Sequence, residues 1–596
     1  MINFIYKKRF IILFLIILAG LFLRIYPFET KSWITNFNAQ VVNQALALGQ
    51  GLAEKDFSFL SQKIEYPFFI PSILLLGYGI FYFIGVCINL FSSVPEFISY
   101  LFLHLNELYW YSRILIGIFG SLSVLLVYLT VKRVFYLNQK KKIILGSLLS
   151  AFLLSFSLLN VQFSQQIRPH VAVSFFILLS FYCYLIVLKK KTIGSYLILA
   201  VSCGLSASIL ISGFFTFIFL ILANYFITFQ SSKLRLSNLV KSFFSGRFLA
   251  GLGVFGALIL IFYPFFFFSS LSERFYFFEQ GEGLFISLGS SPFPIANLGL
   301  GFITILKGLF FQEPALGILL IFFLFFYFFK RKPIDGKNFY YKQSLIGWWL
   351  FVIPYTLIFI LLDNGTRYRV LSPLVVFLCL GLGILFVRGF NNLSKHKKIS
   401  LLLISILLLF EFTQAFRLVE LISRPYTAEI ATKWIEKNIS LEETIIYQGF
   451  LPGLIPDKES IKINFDLSGL LGYRNQYLLS LEAEEYPLEG RSMINFNHLL
   501  EYQGNDIPKT LEYLKKIRSG YLISALHPSE EEKNTLPIYQ IAEKQGHLIK
   551  SFSPYDEPNK RALTFPSGMN NPIIDLWQAK YLGPKVDIYK LDWNDE

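Results

Sequence analysis

Seven side chains in this 596-residue sequence stand where a polar or charged group is costly. Glu65, Arg113, Arg168, His170, Asp363, Arg367 and Arg369 each lie at the edge of a long apolar run. Arg168 and His170 belong to FSQQIRPHV, Asp363, Arg367 and Arg369 to DNGTRYRVLSP, Arg113 to ELYWYSRILIG, and Glu65 opens Glu65-Tyr66-Pro67. A guanidinium at a bilayer edge needs a partner, a ligand or a lipid headgroup. Its planar fork matches two phosphate oxygens at once. Arg113, Arg168, Arg367 and Arg369 therefore suit a lipid-linked phosphate, and the plainer reading, headgroup contact, stands beside it for each. A carboxylate or a neutral histidine can take a proton near pH 7, which makes Glu65, His170 and Asp363 candidate general bases. Glu411, inside the last apolar run, is a further functional candidate whose partner the sequence does not name.

Other chemistries find less support. The four cysteines are far apart in apolar runs and form no CxxC pair, and the six histidines show no metal-binding spacing. No metal centre is read from the sequence, although a divalent ion is compatible with it. No GxGxxG or GxxxxGK[ST] is present, so nucleotide binding is not indicated.

The elements that must hold these groups are mostly greasy. Hydrophobic residues make up 54% of the chain and charged residues only 16%, which places it among integral membrane proteins. Apolar segments near 10–27, 110–131, 143–160, 171–188, 194–210, 213–229, 248–269, 314–329, 344–362, 371–388 and 399–417 are of spanning length, about eleven in all. The first of them follows Lys7–Arg9 without a small-residue cleavage site, so an uncleaved span is expected rather than a signal peptide. Segment 68–93 is expected to lie along the outer leaflet, because no Lys or Arg marks an inner turn between Lys63 and Arg113. Residues 296–312 also read as interfacial.

The net charge of +15 divides unevenly. Residues 1–421 hold 35 Lys and Arg against 14 Asp and Glu, and residues 422–596 hold 19 against 25. That pattern is membrane topology, not a nucleic-acid face. Six basic clusters, from Lys7–Arg9 to Arg388–Lys398, hold 24 of those 35 cations and mark cytoplasmic junctions. Loop 29–67, loop 161–170, loop 270–313, loop 363–369 and everything past 421 then share the outer face. Loop 29–67 contains TNFNAQVVNQALALG, a short amphipathic helix with Phe37, Val41, Ala45 and Leu48 on one side. From 422 onwards helix-like and strand-like stretches alternate (TAEIATKWIEKNIS, ETIIYQGF, TLEYLKKIRSG, GYLISAL, HLIKSF, VDIYKLDW), which predicts a water-soluble α/β domain. The expected organisation is a transmembrane domain over 1–421, carrying outer loop 29–67, and an extracytoplasmic domain over 422–596.

These pieces, in this order, resemble the C-type glycosyltransferase superfamily, in the branch of protein O-mannosyltransferases and the lipid A aminoarabinose transferase. The resemblance rests on Arg24 ending the first span, the loop with a surface helix, Glu65-Tyr66-Pro67, SRILIGIFGSLSVLLVYLTVKRVF, IRPHVAVSFF, TRYRVLSPLVVF and TAEIATKWIEKNI. It implies a multi-spanning helical bundle that moves a sugar from a polyprenyl-phosphate donor to a glycan, lipid or protein acceptor on the outer face. It further implies that Asn36, Asn38, Tyr66, Pro67 and Tyr368 line the substrate pocket. Where the family carries an acidic pair, this chain has Phe37-Asn38, so the base falls to Glu65, His170 or Asp363. Two other roles fit the same features: a catalytically altered relative that binds or presents lipid-linked glycan, and a lipid-glycan transporter. The expected location is a bacterial-type inner membrane, with the N-terminus cytoplasmic and the C-terminal domain periplasmic, since no retention signal ends the chain. Neither N-glycosylation pattern, Asn364-Gly365-Thr366 nor Asn438-Ile439-Ser440, is assigned as a modified site.

Overall fold

The computed structural model describes residues 2–27, 39–55, 66–135, 140–229, 235–268, 275–280, 283–288, 291–294, 299–329, 339–362, 368–393, 397–449, 451, 453–469, 472–482, 486, 490–526, 535–556 and 572–593. These fall into two compact units. One comprises residues 1–26, 37–88 and 111–416, the other residues 27–36, 89–110 and 417–596.

The first unit is a helical membrane bundle. Seven described helices are long and apolar enough to cross a bilayer, and up to ten if each of three bent pairs is one span. Apolar side chains all round a helix leave it no wet face, so such helices persist only against lipid or one another. Burial sorts the two cases. His170–Lys190 has 78% of its apolar window buried and Tyr368–Gly389 has 83%, so both are central. Phe69–Cys87 and Tyr340–Leu361 have only 33% buried and are peripheral. Glycines allow a close crossing between Lys140–Phe156 and Ser372–Leu393. A Cβ at Gly383 would sit 2.0 Å from Ser150 Oγ and 2.7 Å from the Gly146 carbonyl oxygen.

The surface helix of the first loop forms over Ala39–Glu54, and it buries Val41, Val42 and Ala45 against Phe69–Cys87. Gly301–Lys307 continues through a π-helical turn, Gly308–Gln312, and meets Pro314–Phe329 at a bend of 104°. The loop 270–313 also contains an antiparallel three-stranded meander, Phe275–Gln280, Gly283–Leu288 and Ser291–Pro294, that apolar patterning did not announce.

The second unit contains a five-stranded mixed sheet in the order Met493–Asn495, Ile445–Gly449, Tyr521–Leu526, Lys585–Leu591, Gly546–Phe552. The first three strands run parallel and the last two antiparallel to their neighbours. Ile446, Ile494, Phe496, Leu499, Leu514, Leu522 and Ile541 form its core. Side-chain caps start its helices, with Asp457 accepting from the Ser460 amide at 2.6 Å and Asp506 from the Lys509 amide at 3.0 Å. Helix Thr427–Asn438 buries Ala428, Ala431 and Ile435, whereas Ile430 and Trp434 are only half covered. Helix Val94–Leu103 belongs to this unit, and Phe102 stacks on Tyr477 at 5.0 Å.

Candidate functional site

The site begins at a break in a helix. Lys140–Phe156 ends, and Leu158–Ser164 starts again at 53° with Ser157 between them. Such a break frees carbonyls on one side and amides on the other, and in lipid every one must find a partner. Arg24, wholly buried, takes the carbonyls: it donates to Leu154 O and Ser155 O, each at 2.9 Å. It also donates to Gly20 O at 2.8 Å and Asn160 Oδ1 at 2.7 Å. Glu313, also wholly buried, takes the amides. Its Oε1 accepts from the Leu159 amide at 2.7 Å and the Ser157 hydroxyl at 2.6 Å. A cation and an anion from distant parts of the chain thus fasten the two sides of one kink.

Glu313 has a neighbour. Its carboxyl interacts with that of Glu411, and Cys379 lies within electrostatic reach of both. The partner of Glu411 that the sequence left unnamed is therefore Glu313. Glu313 was not singled out from sequence at all. An acid directly before a proline between two apolar runs, and Ser157-Leu-Leu-Asn160 with its cap-type serine, were the available signals.

Beyond the kink the chain passes through Gln165–Pro169 into the central helix that starts at His170. Gln165 is pinned by its amide to Leu23 O at 2.6 Å and Tyr26 O at 2.7 Å. Arg113, fully buried, donates to Gln165 Oε1 at 3.2 Å and to Ile25 O at 3.0 Å. His170 is buried to 7% exposure, its Nδ1 lacks a described partner, and it lies within electrostatic reach of both Arg168 and Arg369. Arg369 comes from the short 3-10 turn Tyr368–Leu371, which Tyr355 holds by donating its hydroxyl to Val370 O at 2.7 Å. Tyr368 is buried in that turn beside Gly308.

Among the residues singled out from sequence, then, Arg168 and Arg369 both lie within electrostatic reach of His170, and Arg113 reaches the same segment through Gln165. Tyr66 and Pro67 are buried at the foot of Phe69–Cys87, next to the Phe68 amide that donates to Phe262 O at 2.7 Å. Asn36, Asn38, Glu65, Asp363 and Arg367 lie outside the described residues. Among the described residues no three of His, Cys, Asp and Glu converge on a point where a metal could sit.

Residues 93–274, just under a third of the chain, match the model of the dolichyl-phosphate-mannose-protein mannosyltransferase family. The match falls in the branch to which the sequence is similar. No curated protein sequence matches the chain. Among solved structures it is similar to the apo oligosaccharyltransferase of Archaeoglobus fulgidus, with 11% identity and a TM-score of 0.43 over 92% of this chain and 73% of that one. It is also similar to ArnT from Cupriavidus metallidurans. The apo form gives 10% identity and a TM-score of 0.44 over 90% and 95% of the two chains. The form bound to undecaprenyl phosphate gives 9% and 0.40 over 91% and 96%.

Proposed function

We propose that this chain is a multi-pass membrane glycosyltransferase that moves a sugar from a polyprenyl-phosphate donor to an acceptor hydroxyl or amine. The observation that carries the reading is the meeting of Arg168, His170 and Arg369, two guanidiniums and a buried imidazole drawn from positions about 200 residues apart. The family description over residues 93–274, which contain Arg113, Arg168 and His170, supports a donor of that class. In this reading Arg168 and Arg369, with Arg367 from the same connection, bind the donor phosphate, and Arg113 holds their segment through Gln165. The cations also stabilise the charge that develops on the departing phosphate, where a preorganised donor outweighs water.

The step itself is a displacement at the anomeric carbon. The acceptor heteroatom forms the new bond, the carbon–oxygen bond to phosphate breaks, and polyprenyl phosphate leaves with the electron pair. The acceptor's proton passes to a general base, for which His170 Nδ1, Glu65 and Asp363 are the candidates. Asn36, Asn38, Tyr66, Pro67 and Tyr368 would shape the sugar pocket. No metal is assigned a role. The basic clusters support a cytoplasmic N-terminus and an extracytoplasmic C-terminal domain.

The test is transfer of labelled sugar from a polyprenyl-phosphate donor in proteoliposomes. Arg168→Ala and Arg369→Ala should each raise the donor KM by roughly tenfold to a hundredfold, the worth of a charge-assisted hydrogen bond. Undiminished donor affinity in both variants removes the proposed site. Phe37-Asn38 favours a second reading, a protein that binds lipid-linked glycan without turning it over, and donor binding with no transfer to any acceptor would support that one.

A further inference from the structure

Glu313 and Glu411 have no part in the chemistry just described, yet both are buried in the bundle, at 0% and 2% exposure. Their hydrogen bonds leave a specific gap. The Oε2 atoms of both lack a donor among the described residues, although the carboxyls are in contact. Two ionised carboxylates are acceptors only and cannot bond to each other. A single proton on one of them lets that carboxyl donate to the other.

The donors around the pair decide which residue carries that proton. Glu313 receives two, from the Ser157 hydroxyl at 2.6 Å and the Leu159 amide at 2.7 Å. Glu411 Oε2 receives none from the described residues. Hydrogen bonds to a carboxylate favour its charged form, so the better-solvated Glu313 is the anion. We propose that Glu313 and Glu411 share a single proton carried on Glu411, and that the pair is a positioning device for residues 158–170, which present Arg168 and His170. The positioning half rests on the transferase reading above, whereas the shared proton does not.

The geometry gives the device its logic. Glu313 holds two donors that start the segment after the kink, and the Glu411 hydroxyl holds Glu313. Without that hydroxyl the open oxygen of Glu313 would be a buried charge without a partner, and the segment would lose its fixed start. An amide at 411 can replace the hydroxyl, because its N–H also donates. A thioether of similar length cannot.

Two measurements test this on the full-length protein in nanodiscs at neutral pH. In infrared difference spectra of wild type against Glu411→Gln, the wild type should show a protonated-carboxyl C=O stretch that the variant lacks. Identical spectra in that region overturn the shared proton. In the transfer assay Glu411→Gln should keep the wild-type donor KM, while Glu411→Met should raise it on the order of tenfold, the consequence of one buried acceptor left unmade. A wild-type KM for Glu411→Met overturns the positioning role, as does a raised KM for Glu411→Gln. If Glu411→Met does not fold, the spectra and the Glu411→Gln kinetics still decide. If wild type itself transfers no sugar, the transferase reading fails while the infrared band judges the pair independently.

Discussion

Replacing Arg24 by methionine separates two opposite expectations for a charge in a membrane bundle. An arginine in a span costs about 2.5–3.5 kcal/mol on insertion scales, so its removal should stabilise the protein if the side chain does nothing. Arg24, however, serves three acceptors outside its own helical turn: Leu154 O, Ser155 O and Asn160 Oδ1. Leaving each buried acceptor unmade costs about 1–3 kcal/mol, or roughly 3–9 kcal/mol together. The loss exceeds the relief over most of that range. Arg24→Met should therefore destabilise by a few kcal/mol, in keeping with the roughly 3–5 kcal/mol lost when one side of a buried polar pair is removed. Thermal unfolding in detergent, followed by size-exclusion recovery, reads the sign directly. Arg24→Lys keeps the charge but not the fork that reaches two carbonyls and an amide oxygen, so it should fall between. A midpoint for Arg24→Met at or above wild type would refute the claim that Arg24 fastens the kink.

Four further substitutions probe packing and buried hydrogen bonds. Gly120→Ala should lower the same unfolding midpoint by the equivalent of about 1–3 kcal/mol, since its Cβ would lie 2.5 Å from Ser164 Oγ and 2.7 Å from Arg24 Nε. Gly79→Ala, with nothing within 4 Å, is the matched control and should leave the midpoint unchanged or slightly higher. Gly383→Val should separate Lys140–Phe156 from Ser372–Leu393 and lower the yield of folded protein from size exclusion, because its Cβ would lie 2.7 Å from the Gly146 backbone. Arg491→Ala should loosen the soluble domain alone, by about 1.5–3 kcal/mol. Arg491, 4% exposed, donates to Ile439 O at 3.0 Å and to Ser440 O and Glu436 O at the end of helix Thr427–Asn438. Faster proteolysis within 427–526 is the readout.

What could be read from the chain depended on how far apart the interacting residues lie. The soluble strands were legible because alternation is local: ETIIYQGF, GYLISAL, HLIKSF and VDIYKLDW hold Ile445–Gly449, Tyr521–Leu526, Gly546–Phe552 and Lys585–Leu591. The same holds for Val41 and Ala45 on the loop helix, whose spacing puts them on one side and which the fold buries. Segment 143–160 read as one uninterrupted span, yet it breaks at Ser157, because its lost backbone bonds are made good by residues 131 and 154 or more positions away. No window of apolar residues contains that information. Segment 275–294 reads as plain loop, since FYFFEQ and GLFISL pair with each other across a short connection and look merely apolar when read singly. Arg168 and Arg369 were found individually as charges at span edges, but their meeting at His170 is a property of the fold.

The kink explains why the charges sit where they do. A helix bent by 53° inside lipid exposes carbonyls and amides that water cannot reach, and neutral side chains rarely satisfy so many at once. Opposite charges suit the two sides, a guanidinium for the oxygens and a carboxylate for the N–H groups. Arg24 and Glu313 then balance each other through the peptide groups between them. In the reading proposed above, a protonated Glu411 adds no charge to that balance, so the kink carries one cation and one anion.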